Sequence, residues 1–170
     1  MNRCVLVIRH AEAEEPVEAR IQGRDDRHRE LTRDGRRKMR EGSRGLKRLV
    51  EHIDLLVSSP LTRAIQTAEL IAEAYPEAKR QQYAGLANGV DHLGLLKWAA
   101  QHKGVVALVG HEPDLSQWIG YAVTGEPRPV VLMKKGSVCR LDMPQAAIAG
   151  EACIAWHMSL KQLRYLSEAP

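Results

Sequence analysis

Hydrophobic positions along this chain fall into short separated runs, and the spacing inside each run distinguishes strand from helix. Cys4 to Ile8 is a continuous apolar run rich in β-branched residues, the pattern of a strand buried on both faces of a parallel sheet. It stops at Arg9 and His10, so two polar side chains stand just past its carboxyl end, where open α/β sheets form their ligand crevices. From Ala11 to Glu30 the chain is polar, charged and aperiodic, and it reads as a long loop of the kind that often carries function. Thr32 offers an N-cap for a basic surface helix in which Met39, Leu46, Leu49 and Val50 recur at helical intervals.

Ile53 to Val57 reads as a second strand, ended by Ser58, Ser59 and Pro60. A helix can open at Pro60 or Leu61, because proline lacks only a donor that a first turn leaves unpaired, and Ile65, Ala68, Leu70, Ile71 and Ala74 face inward. Lys79 to Tyr83 is a short third strand, and Asp91 to Gln101 is a helix. Val105 to Val109 is the clearest buried strand after the first and runs into Gly110 and His111. Glu112 to Val123 is a further helix, with Glu112 favourably placed in its first turn. Val130 to Met133, Ser137 to Met143 and Ala152 to His157 read as closing strands, two of them a hairpin across Pro144 to Glu151. Strands that alternate with helices imply an α/β fold, a three-layer α/β/α sandwich whose mainly parallel sheet ends in an antiparallel edge.

The length of 170 residues suits one domain, and 44% apolar with 27% charged residues argues against a disordered or fibrous chain. The first apolar run is far too short for a signal-peptide core or a membrane span, so a cytoplasmic location without membrane is expected. Cys4, Cys139 and Cys153 are widely spaced in strand-like runs without a CxxC pair, and are expected to be buried structural residues. A net charge of +4 favours anionic partners. The chain has no Phe and no aromatic interleaving of its basic segments, which points away from nucleic acid and toward a phosphorylated substrate. The basic segment Arg33 to Arg48 is either the solvated face of a helix or a docking surface for an acidic protein.

Two strands therefore end in histidine, His10 and His111, and a third strand end leads to Arg63 in the first turn of a helix, a position that itself attracts anions. Two imidazoles and two guanidiniums, Arg9 and Arg63, converge beyond the sheet with no carboxylate cluster for a metal. Such a pocket suits a phosphoryl group, since the planar fork of arginine pairs with two phosphate oxygens and a neutral imidazole can attack phosphorus directly. No cofactor is called for.

The run Leu6, Val7, Ile8, Arg9, His10, Ala11, Glu12, Ala13 resembles the Arg-His signature of the histidine phosphatase superfamily, which includes the cofactor-dependent phosphoglycerate mutases. Further matches follow in order: Leu31, Thr32 and Gly35; Ser58, Ser59, Pro60, Arg63, Ala64, Gln66, Thr67 and Ala68; then Gly110 and His111. The short chain, Gly110 to Pro113 and the late Lys135, Gly136, Ser137 and Trp156 are most similar to the SixA group, described as phosphohistidine phosphatases. The resemblance implies a phosphoglycerate mutase-like fold, His10 as nucleophile, and Arg9, Arg63 and His111 on the phosphoryl oxygens. Arg29 matches an arginine often found before the Leu-Thr pair and is expected to line the site. The insertion that carries a proton-donating glutamate in the mutases has no counterpart between Tyr83 and Leu95. Glu112 then stands as either the acid or a helix cap. The partner is a phosphohistidine protein or a small phosphorylated molecule. Phosphohistidine hydrolysis, small-molecule phosphomonoester hydrolysis and a catalytically weak phosphate-binding module all remain compatible with these residues. The oligomeric state is not legible.

Overall fold

A computed structural model describes residues 3–168. Its sheet has six strands, β1 (Arg3–Arg9), β2 (Leu55–Ser58), β3 (Lys79–Gln82), β4 (Val105–Gly110), β5 (Val138–Met143) and β6 (Cys153–Met158), in the order β3-β2-β4-β1-β5-β6. The first four in that order are mutually parallel, while β5 runs against both β1 and β6. The expected parallel sheet with an antiparallel edge is thus observed.

The helices are α1 (Pro16–Ile21), α2 (Arg33–Leu49), α3 (Thr62–Ala74), α4 (His92–Gln101), α5 (Asp114–Thr124) and α6 (Leu160–Glu168). Alternation along β1 explains the three layers. Leu6 and Ile8 enter one core with Met39 and Leu46 of α2, Leu70 and Ile71 of α3 and Leu163 of α6. Val5 and Val7 enter the other with Leu95 and Leu96 of α4 and Leu115, Trp118 and Ile119 of α5. The polarity of β3 follows from its place at the sheet's edge, where all its side chains are exposed.

Several expectations need correction. The stretch from Ala11 to Glu30 is not all loop: Pro16 occupies the first turn of α1, Glu15 and Glu18 form a capping box there, and Asp26–His28 makes a single 3-10 turn. Val130 to Met133 is not a strand, because β5 already occupies the edge of β1, and Pro127 and Pro129 just before it cannot donate to a ladder. The helix expected from Glu112 begins at Asp114, after Pro113. Cys139 is buried, and burial pushes its thiol up to about 12, but Cys4 is half-buried and Cys153 is exposed on the edge strand β6.

Helix α6 went unread in the sequence, although Ser159 and Gln162 carry a capping-box signature and exchange side-chain-to-backbone hydrogen bonds at its start. It packs on a face of α2 made partly of glycine. A Cβ at Gly45 would lie 1.8 Å from the backbone oxygen of Leu163, and one at Gly42 would lie 2.4 Å from Leu160 Cδ1. Glycine is what lets the two helices approach so closely. Part of the basic face of α2 is neutralised within the fold: Arg37 pairs with Asp34 and Glu41, Lys38 with Asp34, and Arg40 with Glu73.

Candidate active site

Three adjacent strand ends build the site. In the parallel pairing of β1 with β4, Arg9 stands opposite Gly110, so the next residues, His10 and His111, emerge side by side. Their ring centroids are 5.2 Å apart, and the His10 backbone N–H donates to the Gly110 carbonyl at 3.0 Å. On the other side of β4, the Ser59 N–H donates to the Val109 carbonyl at 2.9 Å and ties the end of β2 to the same edge. Helix α3 then begins at Thr62 and turns Arg63 inward, where its guanidinium is almost wholly covered.

The imidazole of His10 has one defined tautomer. Nδ1 lies 2.7 Å from the Ala11 carbonyl oxygen, which can only accept, so Nδ1 carries the hydrogen and Nε2 keeps its lone pair. Burial pulls the His10 pKa down to about 3; the Ala11 carbonyl opposes this, while His111, Arg63 and Arg9 add to it. His111 is likewise lowered to about 4, first by burial and then by Arg63, with Asp26 opposing and Arg29 and Arg9 adding. Both rings are neutral at pH 7. The same couplings show which cations converge: Arg9 and Arg63 act on both histidines, and Arg29 acts on His111.

Each guanidinium is held by part of its fork only. Arg9 Nη1 donates to the Met133 carbonyl at 2.8 Å, and its Nε is buried without a partner. Arg63 Nη1 donates to the Asp26 carbonyl at 2.8 Å and Nη2 approaches Asp26 Oδ2 at 3.3 Å, again with Nε buried and unpartnered. Arg29 spans the same carboxylate, with Nε 2.9 Å from Asp26 Oδ1, and its Nη1 donates to the Glu14 carbonyl. Buried donors without partners are costly unless a ligand accepts from them, and those of Arg9 and Arg63 belong to the same cluster as His111 Nδ1, also buried and unpartnered. Among the described residues no three His, Cys, Asp or Glu side chains gather as metal ligands.

The sequence-predicted residues Arg9, His10, Arg63 and His111 are thus together, with Arg29 joined to Arg63 through Asp26. Glu112 is half-buried, and its Oε1 accepts the Ser116 N–H at 2.9 Å, the bond of a helix cap. Other contributors were missed. Thr67 Oγ1 accepts the Ala11 N–H at 3.0 Å and donates to the Arg63 carbonyl, locking the residue after His10 to α3. Gln66 Oε1 accepts the Leu31 N–H at 2.8 Å and fixes the loop's return. Both residues stood in the matched motif, which was the available signal. Asp26 had none.

A buried neutral imidazole with a free Nε2, beside two guanidiniums and a second imidazole, is an arrangement suited to a phosphoryl group. Comparison with known proteins identifies the class: residues 5–88 match the profile of the histidine phosphatase superfamily (branch 1), and the chain belongs to that superfamily, as a phosphatase. An uncharacterised protein of Picosynechococcus sp. is 32% identical over 128 residues, covering 73% of this chain and 78% of that one. In fold, the chain is similar to the protein histidine phosphatase SixA complexed with tungstate, with a TM-score of 0.80 at 20% identity over 94% of this chain and 99% of that one. It is also similar to a putative phosphohistidine phosphatase SixA from Agrobacterium tumefaciens, with a TM-score of 0.74 at 20% identity and the same coverage. The phosphoglycerate mutase-like sandwich expected from the sequence is the observed fold.

Proposed function

We propose that this phosphatase works through a phosphohistidine intermediate at His10 and removes phosphoryl groups from histidine in a protein, without a metal, in the cytoplasm. The observation that carries the covalent step is the Nδ1–H bond to Ala11, which leaves Nε2 as the attacking lone pair. Nε2 forms a bond to phosphorus as the bond to the substrate's imidazole nitrogen breaks, and that imidazole takes a proton from water. Arg9, Arg63 and His111 hold the equatorial oxygens, where fixed donors stabilise the spread charge of the transferring group. Water then attacks the phosphoenzyme, inorganic phosphate leaves, and Nε2 regains its lone pair.

Two features favour phosphohistidine over an ester. Glu112, the candidate acid, is engaged by the Ser116 N–H at the start of α5, and a departing imidazole needs less help than an alkoxide does. The segments flanking the site also expose apolar side chains: Val17 at 65% and Ile21 at 81% on α1, and Leu132 at 70% beside Met133. An ion pair of Lys135 with Glu15 at 3.7 Å links the two segments. A protein surface can cover such a rim, and a small polar ester cannot. Fold likeness to proteins described as phosphohistidine phosphatases supports the same reading.

The test is incubation of wild type and His10→Ala with a protein labelled on phosphohistidine and with a panel of phosphate esters, in chelator. Label trapped on wild type alone, with faster turnover of the protein, is expected. Faster turnover of an ester would make the chain a small-molecule phosphomonoesterase. Phosphate binding without any turnover would make it a binding module.

A further inference from the structure

We propose that Ser59 is a positioning residue that fixes His111 as its Nδ1–H tautomer and thereby presents an N–H donor, rather than a lone pair, to the phosphoryl oxygens. Ser59 is fully buried, and its Oγ lies 2.8 Å from His111 Nε2. The only other hydrogen bond of Oγ among the described residues is accepted, from the Leu61 N–H at 3.2 Å. A serine hydroxyl has one hydrogen to give, and His111 Nε2 is the acceptor within reach. Were Nε2 protonated instead, Oγ would accept twice and its own hydrogen would be buried without a partner, at a cost of about 1–3 kcal/mol. The neutral ring carries one hydrogen, so it resides on Nδ1.

The backbone makes this arrangement rigid. Ser59 is hydrogen-bonded through its N–H to Val109, two residues before His111, so Oγ and the imidazole are mounted on the same pair of strand ends. Among the described residues His111 Nδ1, which is buried, has no hydrogen-bond partner, in the same cluster as the unpartnered Nε–H groups of Arg9 and Arg63. A phosphoryl oxygen offers only lone pairs. Against it a bare Nδ1 would repel, whereas Nδ1–H completes a set of donors. Ser59 selects between these two cases without touching substrate.

The inference rests on the reading of His111 as a phosphoryl-oxygen donor, but the tautomer can be measured without substrate. Long-range nitrogen–proton correlation spectra of wild type should show a protonated Nδ1 and a pyridine-like Nε2 for His111, assigned by the signal lost in His111→Gln. Ser59→Ala should mix or invert that pattern, and Ser59→Thr, which keeps the hydroxyl, should restore it. Inorganic phosphate added to wild type should shift Nδ1–H more than Nε2. In turnover, Ser59→Ala should lower kcat about tenfold or more with a smaller change in KM, the scale typical of groups that orient a functional histidine. A wild-type His111 protonated on Nε2, or a Ser59→Ala spectrum unchanged from wild type, would overturn the proposal even if His10 proves to be the nucleophile. Failure of the phosphohistidine assay alone would leave the measured tautomer standing.

Discussion

Acidification from pH 8 to pH 5 should destabilise this protein through the two histidines of its active site, and replacing one of them should remove half of that effect. His10 is 6% exposed and His111 3% exposed, and burial lowers them to about 3 and about 4 from an ordinary value of 6.5. In the unfolded chain both titrate near 6.5. At pH 8 neither state binds these protons; at pH 5 the unfolded chain binds both and the native chain binds neither. The unfolded state therefore gains protons as pH falls, so the stability contribution is complete above pH 6.5 and is lost on descent toward pH 4 and 3. At pH 5 the loss is about 2 kcal/mol for each histidine, because 1.5 pH units separate that pH from the unfolded value. The figure barely depends on the folded pKa as long as that lies well below 5. Urea unfolding of wild type and His10→Gln at both pH values gives the test, since carboxylates and the other histidines are common to the two proteins and cancel. The variant should lose about 2 kcal/mol less than wild type on acidification. Equal losses would show that His10 is not held neutral by the fold, and the claim that its Nε2 is available to phosphorus at low pH would go with it.

Three further outcomes are expected. Arg63→Ala should reduce kcat/KM about 100-fold or more, the scale of losing one preorganised donor; Arg29→Ala, whose guanidinium spans Asp26 and the Glu14 carbonyl, should cost less, and steady-state kinetics giving the reverse order would refute the ranking. Glu112→Gln keeps an acceptor for the Ser116 N–H, so stability should fall by no more than about 1 kcal/mol with turnover of phosphohistidine protein retained; a collapse of kcat at unchanged Tm would identify Glu112 as the acid. Gly45→Ala should cost about 1–3 kcal/mol or more in chemical denaturation, because its Cβ meets the backbone of α6 rather than a side chain that can turn aside; a neutral effect would mean that α6 does not pack on α2 as described.

What was legible in the sequence is what periodicity can express. Strands β1 and β4 are unbroken apolar runs because both of their faces are covered, and their ends are marked by the polar residues that follow. Helix α6 was legible in its own residues, through the capping pair of Ser159 and Gln162 and through Leu160, Leu163 and Leu166 at helical spacing. What periodicity could not show is its partner surface on α2, whose glycines contribute nothing to a hydrophobic pattern yet decide how closely two helices approach. Val130 to Met133 misled for the opposite reason. It has strand composition, but pairing depends on which edge is free, and β5 had taken the edge of β1.

The site divides in the same way. Arg9, His10, Arg63 and His111 follow strand ends or open a helix, so topology alone brings them together once β2, β4 and β1 are neighbours. Asp26 could not be read, since it lies in an irregular stretch and acts through both its backbone carbonyl and its carboxylate. Its role follows from charge. Burial lowers the pKa of Arg63, Asp26 opposes this and the nearby Arg29 adds to it, and like charges in a partly desolvated place repel unless an anion lies between them. Asp26 is that anion. It takes both Nη groups of Arg63 and leaves Nε unpartnered, so the counter-ion that offsets the repulsion also leaves one edge of the fork open, the edge that the proposed mechanism assigns to a phosphoryl oxygen.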